Sequence, residues 1–145
     1  MKIRLGGQTG RTGRATLTVG RTDYDVNVKF HGNARRSGGW ESYKWKVRIK
    51  RRGSSGRAAS FDYYTGLGCS TDEFDFNDFA GCITSDSDYA AQYGPNGYRS
   101  FAEDAGYEDL AQATTVYDGC KDTYDKLVRV FGVGICEFFR MFREE

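Results

Sequence analysis

An α+β fold, with an N-terminal antiparallel sheet of three to four strands and C-terminal helices packed against it, is what this sequence predicts. Three observations predict it. Apolar residues recur at every second position up to residue 64, they recur at steps of three and four after residue 70, and the charge divides at nearly the same place. Residues 1–60 carry fifteen Lys and Arg against three Asp and Glu, a surplus of twelve positive charges. Residues 61–145 carry six against seventeen, a surplus of eleven negative charges. The formal net charge of +1 hides this dipole, which bears on partners and association rather than on fold.

At 145 residues the chain fits one domain that buries roughly two-thirds of its unfolded surface. A hydrophobic fraction of 39% is low, yet 15% of the residues are aromatic. Because each aromatic ring buries about 150–250 Å², the expected core is aromatic-rich. No apolar run approaches the roughly 18 residues of a membrane span, and Met1-Lys2-Ile3-Arg4 leads into Gly and Thr rather than an apolar signal segment. A soluble cytoplasmic protein without a membrane partner is the expectation.

Residues 1–14 hold Gly6, Gly7, Gly10 and Gly13 with Arg11 and Arg14, a composition that reads as a mobile or loosely paired basic arm. Residues 15–64 form the β-rich basic half. Ala15, Leu17 and Val19 alternate with Thr16 and Thr18; Tyr24, Val26, Val28 and Phe30 alternate with Asp23, Asp25, Asn27 and Lys29. A hairpin turning near Gly20-Arg21 joins the two runs. In Tyr43–Lys50, successive side chains point to opposite faces, so Tyr43, Trp45, Val47 and Ile49 share a buried face while Lys44, Lys46, Arg48 and Lys50 share an exposed one. Four cations then occupy about 20 Å of one surface. Arg35 and Arg36 extend the patch from the preceding loop, and Arg51, Arg52 and Arg57 extend it across the next turn. A last strand over about Ala58–Tyr64 sets Phe61 and Tyr63 opposite in phase to Ser60 and Asp62.

Such a ladder has two readings. As a solvated sheet face, it blunts edge pairing with lysines; as a polyanion site, it releases counterions on binding phosphates. The contiguity of the arginines and the scarcity of acids among them favour the second. Trp40 is placed to stack on an unpaired base, and Trp45, in phase with Val47, belongs to the core.

Residues 70–145 form the helical acidic half. Ser70-Thr71-Asp72-Glu73 fits a capping box that opens a helix whose apolar stripe is Phe76, Phe79, Ala80 and Ile83. After a loop at Gly94-Pro95-Asn96-Gly97, Tyr98, Phe101, Ala102 and Ala105 repeat the template and stop at Gly106. The longest helix covers about Tyr107–Phe131, with a seam of Leu110, Ala113, Tyr117, Cys120, Tyr124, Leu127 and Phe131. Ile135, Phe138, Phe139 and Phe142 define a short terminal helix. Glu108, Asp109, Asp118, Asp122 and Asp125 make an acidic exterior and a second candidate binding surface, the last three with Lys121, Lys126 and Arg129 three or four residues on.

No catalytic or cofactor signature accompanies this layout. Cys69, Cys82, Cys120 and Cys136 are separated by 13, 38 and 16 positions, without a Cys-x-x-Cys pair, and the one histidine, His31, lies in the other half. Reduced thiols buried beside apolar helix faces are expected. Glu73, Asp75 and Asn77 alternate as a calcium loop begins, but Asp78 stands where glycine is required and Thr84 where a bidentate Glu is. Gly66-Leu67-Gly68 opens like a dinucleotide fingerprint, with Thr71 in place of the third glycine. The chain reads as a non-enzymatic binding protein that holds no metal or cofactor.

From Trp45 onward the layout resembles a group of small proteins encoded by bacteriophages and related mobile elements. The matching segments are Trp45-Lys46-Val47-Arg48-Ile49, Phe61-Asp62-Tyr63-Tyr64-Thr65-Gly66, Asp78-Phe79-Ala80-Gly81-Cys82-Ile83, Phe101-Ala102-Glu103-Asp104-Ala105-Gly106-Tyr107 and Tyr117-Asp118-Gly119-Cys120. The resemblance covers about two-thirds of the chain and leaves out residues 1–40. It implies an accessory or host-defence-countering role in the host cytoplasm, which includes inhibitors of CRISPR effectors. The expected function is inhibition of a host defence nucleoprotein, with the acidic helices in a nucleic-acid groove and the basic sheet on nucleic acid or an acidic protein surface. The alternative is a nucleic-acid-binding module that uses the basic sheet directly. Opposite poles also allow self-association.

Overall fold

The period-two runs fold as strands and the three-four runs as helices. A computed structural model describes residues 1–6, 11–35, 39–91, 93 and 97–132, with the backbone alone over 84–91. The chain divides into two units, Met1–Phe79 and Ala80–Glu145. The first holds strands β1 (Lys2–Arg4), β2 (Thr12–Val19), β3 (Thr22–Arg35), β4 (Glu41–Arg51), β5 (Ala59–Thr65) and β6 (Glu73–Asp75). Strands β2 to β5 form an antiparallel sheet in chain order, and β1 pairs with β6 in a separate antiparallel ribbon.

Turn chemistry and burial explain the register. Val19 pairs with Thr22 across Gly20-Arg21, and Gly20 takes a φ of 64°, at the position where two-residue hairpin turns favour glycine. Between β3 and β4 the pairing jumps from Phe30↔Trp45 to Gly32↔Lys44, which makes His31 the extra residue of a bulge. Gly32 absorbs the distortion with a φ of 96°. On the inner face, Trp45, Val47 and Ile49 are buried together with Leu17, Val26, Val28 and Phe61.

The aromatic core expected from composition is present. Trp45 lies 4.8 Å from the Phe30 ring and 5.5 Å from Phe74, and Tyr63 lies 5.8 Å from Phe74 and 5.3 Å from Phe79. Edge-to-face and tilted contacts of this kind add about 0.5–1.5 kcal/mol each to the area they bury. The Trp45 indole donates to Thr65 Oγ1 at 2.9 Å, which satisfies its polar atom.

Three sequence expectations are corrected here. The arm expected over residues 1–14 is paired on both sides of residues 7–10, which lie outside the described residues. Ile3 is buried opposite Phe74, and the space a Cβ would need at Gly13 is filled by Ile3 Cγ2 at 2.7 Å and Arg4 O at 2.9 Å. Glycine serves close approach here, not freedom. The capping box does not open a helix, because Glu73, Phe74 and Asp75 form β6 and bury Phe74 in the aromatic cluster. Helix α1 (Phe76–Ala91) begins later, and Asp75 Oδ1 accepts from the Asn77 N–H at 3.0 Å as its cap. Phe76, Phe79, Ala80 and Ile83 are buried as the stripe required. Cys69 and Cys82 are thiols exposed rather than buried, and Cys120 is a half-buried thiol. Cys136 and the expected terminal helix lie outside the described residues.

In the second unit, α2 (Tyr98–Ala105) ends at Gly106 with a φ of 75°. The Tyr107 N–H donates to Ala102 O at 2.9 Å and the Gly106 N–H to Glu103 O at 3.3 Å, a Schellman closure. Helix α3 (Leu110–Phe131) starts three residues later than expected because Asp109 caps it, accepting from the N–H groups of Ala111 at 2.9 Å and Gln112 at 3.3 Å. Phe101, Ala102, Ala113 and Tyr117 form a small core between α2 and α3. Leu110, expected at the head of the seam, is exposed; Ala113, Tyr117, Leu127 and Phe131 are buried. Among the described residues no helix is long and apolar enough to cross a membrane.

One side chain ties the first unit together. Arg11 has a φ of 23°, uncommon for a residue with a side chain. Its Nη2 donates to Thr71 O at 2.6 Å, Thr71 Oγ1 at 2.9 Å and Asp72 Oδ1 at 2.7 Å, and its guanidinium lies 4.8 Å from the centre of the Phe30 ring. Arg11→Ala is expected to lower stability by about 1–2 kcal/mol in urea unfolding, through the lost charge-assisted hydrogen bonds and cation–π contact. Arg35→Ala, which removes an exposed ion pair with Glu41, is expected to unfold close to the wild type.

Candidate nucleic-acid interface

The outer face of the sheet is built by strand phase. On β4, Lys44, Lys46, Arg48 and Lys50 alternate with the buried Trp45, Val47 and Ile49, as the ladder requires. Register then sets their neighbours. Lys29 pairs with Lys46 and Thr12 with Lys29; Asn27 pairs with Arg48 and Arg14 with Asn27. Asp25 stands opposite Lys50, and Tyr64 opposite Lys44.

Charge on this face is unevenly compensated. At one end Arg52 reaches Asp25 Oδ1 at 2.8 Å and Asp23 Oδ2 at 3.5 Å, and donates to Thr16 Oγ1 at 2.8 Å. Lys46 meets Asp62 at 2.6 Å. Among the described residues Arg14, Lys29, Lys44 and Arg48 form no ion pair. Arg14, Lys29, His31, Lys46 and Arg48, with Thr12 and Asn27, line an open depression of about 450 Å³. His31 reports the field there: partial burial holds its imidazole below the usual 6.5, and Lys29, Lys44 and Lys46 push it the same way against Asp62.

The candidate residues therefore separate. Lys44, Lys46, Arg48 and Lys50 share the face. Arg52 is engaged with Asp23 and Asp25, and Arg35 is engaged with Glu41 at 3.1 Å. Arg51 falls on the opposite phase of β4, paired with Tyr24, and Arg57 sits in the exposed turn beyond. Arg36 lies outside the described residues. Arg14, Lys29 and His31 join the site although the sequence did not single them out. Their outward phase is the signal available for Lys29; only the β2–β3 register brings Arg14 beside them.

The acidic surface is largely matched within its own helix. Asp125 meets Lys121 at 3.1 Å, Asp122 meets Lys126 at 2.9 Å, and Asp109 is the α3 cap. Glu108 and Asp118 remain exposed. A second depression of about 660 Å³ is lined by Trp45, Tyr63, Thr65 and Cys69 together with Lys2, Glu73, Asp75 and Asp78. Its acids have local tasks too, since Lys2 lies 3.7 Å from Glu73 and Asp75 caps α1. Among the described residues no group of three or more His, Cys, Asp and Glu is placed to hold a metal ion.

His31 gives a direct measure of the field. Its pKa in the folded protein is depressed, so the unfolded chain takes up the proton more readily. The associated stability is present above 6.5 and is lost as pH falls through the lower folded value. An NMR titration of the His31 ring is expected to show a midpoint below 6.5, and Lys29→Ala is expected to move it upward. A midpoint unmoved by removing Lys29 would dissociate His31 from the cationic cluster.

Compared with protein-family models, with curated proteins and with solved structures, the chain matches none.

Proposed function

We propose that the protein binds the phosphate backbone of nucleic acid through the outer face of its four-stranded sheet, and that it does so without catalysis. The observation that carries this reading is the Lys29↔Lys46 pair. Side chains directly opposite on antiparallel strands stand about 4.5–5.5 Å apart at Cβ, where like charges oppose folding. Asp62 meets Lys46, whereas among the described residues Lys29 forms no ion pair, and Arg14 and Arg48, which form none either, flank the pair across Asn27. Folding stability by itself would favour an acid at one of these positions. A phosphate supplies the missing anion.

The chemistry follows from the side chains. Arg14 and Arg48 can each present a planar fork to phosphate oxygens, Lys29 and Lys44 act as mobile point charges, and Thr12 and Asn27 offer neutral hydrogen bonds between them. Such contacts position a backbone and carry no sequence information. Inhibition of a defence nucleoprotein, the function expected above, gives the acidic helices an equal share of the work. With Asp109, Asp122 and Asp125 engaged inside the chain, the sheet is the better supported surface.

Anisotropy of a short labelled oligonucleotide over a range of salt tests this. Affinity is expected to fall linearly on a double-logarithmic plot, and Lys29→Ala and Arg48→Ala are each expected to reduce the slope by about 0.7–0.9. Arg35→Ala and Arg52→Ala, whose charges are already paired, are expected to change it much less. Absence of binding at low salt, or equal effects from paired and unpaired cations, would overturn the proposal.

A further inference from the structure

Trp40 is unlike the other tryptophan. Trp45 is 1% exposed at the centre of the core, whereas Trp40 is 76% exposed. An indole left in water forgoes the burial that makes tryptophan useful to folding, so the core does not account for this one. Its location is specific. Strand β3 continues to Arg35 and β4 starts at Glu41, but the last β2 pair on this side is Thr12↔Lys29 and the last β5 pair is Tyr43↔Thr65. The β3–β4 hairpin therefore runs on as a two-stranded ribbon past both neighbours, with Trp40 at its far end.

The ribbon leads back to the cations. The alternation of β4, carried back one residue, gives position 40 the phase of Lys44, Lys46 and Arg48. Four residue steps lead from Trp40 to Lys44, about 13 Å, and each further cation adds about 6.7 Å. That interval matches in scale the spacing of successive phosphates along one extended strand. Tyr64, opposite Lys44 on the outer phase of β5, sets a half-buried ring beside the same track.

From this arrangement, and resting on the nucleic-acid reading above, we infer that the ligand of the face is single-stranded nucleic acid, with Trp40 as the platform on which an unpaired base stacks. Only unpaired bases expose their faces to an aromatic ring; a duplex offers edges in its grooves and phosphates outside. Reading edges needs several free hydrogen-bonding groups on the ribbon. Among the described residues of the ribbon, Arg35 is bound to Glu41, the indole contributes a single donor, and Asn33 is the one exposed side-chain amide.

The test uses the full chain with three probes of equal length: an oligothymidylate, an abasic oligodeoxynucleotide and a mixed-sequence duplex. Oligothymidylate is expected to bind most tightly and to quench tryptophan emission. Trp40→Ala is expected to weaken that binding about tenfold or more, and Trp40→Phe to retain most of it. The abasic strand is expected to bind the wild type and Trp40→Ala alike, since it offers phosphates and no base. Trp40 is exposed, so both variants are expected to keep the wild-type circular dichroism. Duplex binding as tight as single-strand binding, or unchanged oligothymidylate affinity in Trp40→Ala, overturns the stacking assignment. If Lys29→Ala and Arg48→Ala still weaken binding in that case, the phosphate-binding face stands without it. Failure of all three probes to bind at low salt overturns both.

Discussion

The two-residue period of β4 is the constraint on which the first unit depends. One strand supplies Trp45, Val47 and Ile49 to the interior and Lys44, Lys46, Arg48 and Lys50 to the exterior, so core and candidate site share a backbone. A slip of one residue would exchange the faces, burying cations and exposing an indole. Burying unpaired cations is costly enough to make that register untenable. The core thus positions the charges: the rings of Phe30, Tyr63 and Phe74 around Trp45 hold β4 in the phase that presents its cations to solvent.

The β1–β6 ribbon reinforces this arrangement from the inner side. Ile3 and Phe74 bring two distant segments onto the aromatic cluster, and Gly13 admits β1 at a distance no other residue would allow. Arg11 then joins the start of β2 to the turn before β6 through Thr71 and Asp72. An arginine in the basic half can therefore be a structural clamp. Total charge does not distinguish it from Arg14, three residues along the chain and on the open face.

The same distinction runs through the charged residues generally. Arg52, Arg35, Asp122 and Asp125 find partners nearby and are substantially neutralised at close range. Exposed pairs of this sort contribute only about 0–1 kcal/mol to stability, but they remove both members from the long-range field. Among the described residues, Arg14, Lys29, Lys44, Arg48 and Lys50 share one side of the sheet without an ion pair. The large charge difference between the halves of the chain is thus a poor guide to where a partner is met. The pattern of compensation is a better one.

Much of the architecture was legible in the sequence, because period is a local property. The alternation of β4, the stripe Phe76–Phe79–Ala80–Ile83 and the stop at Gly106 each depend on residues within a few positions of one another. The ladder of cations was legible for the same reason. Pairing between distant segments was not: residues 1–14 are polar and glycine-rich in isolation, and only the partner Phe74 makes Ile3 a core residue. The capping box at Ser70 failed against the same competitor, since burial of Phe74 in a strand outweighed a local helix signal. Inclusion of Arg14, Lys29 and His31 in the site, and the loss of Arg51 and Arg52 from it, follow from cross-strand register and ion-pair geometry. The sequence by itself determined which residues alternate and which repeat as helices; the tertiary structure decided which charges meet, because opposition across strands depends on how far each hairpin extends and where a bulge shifts the register.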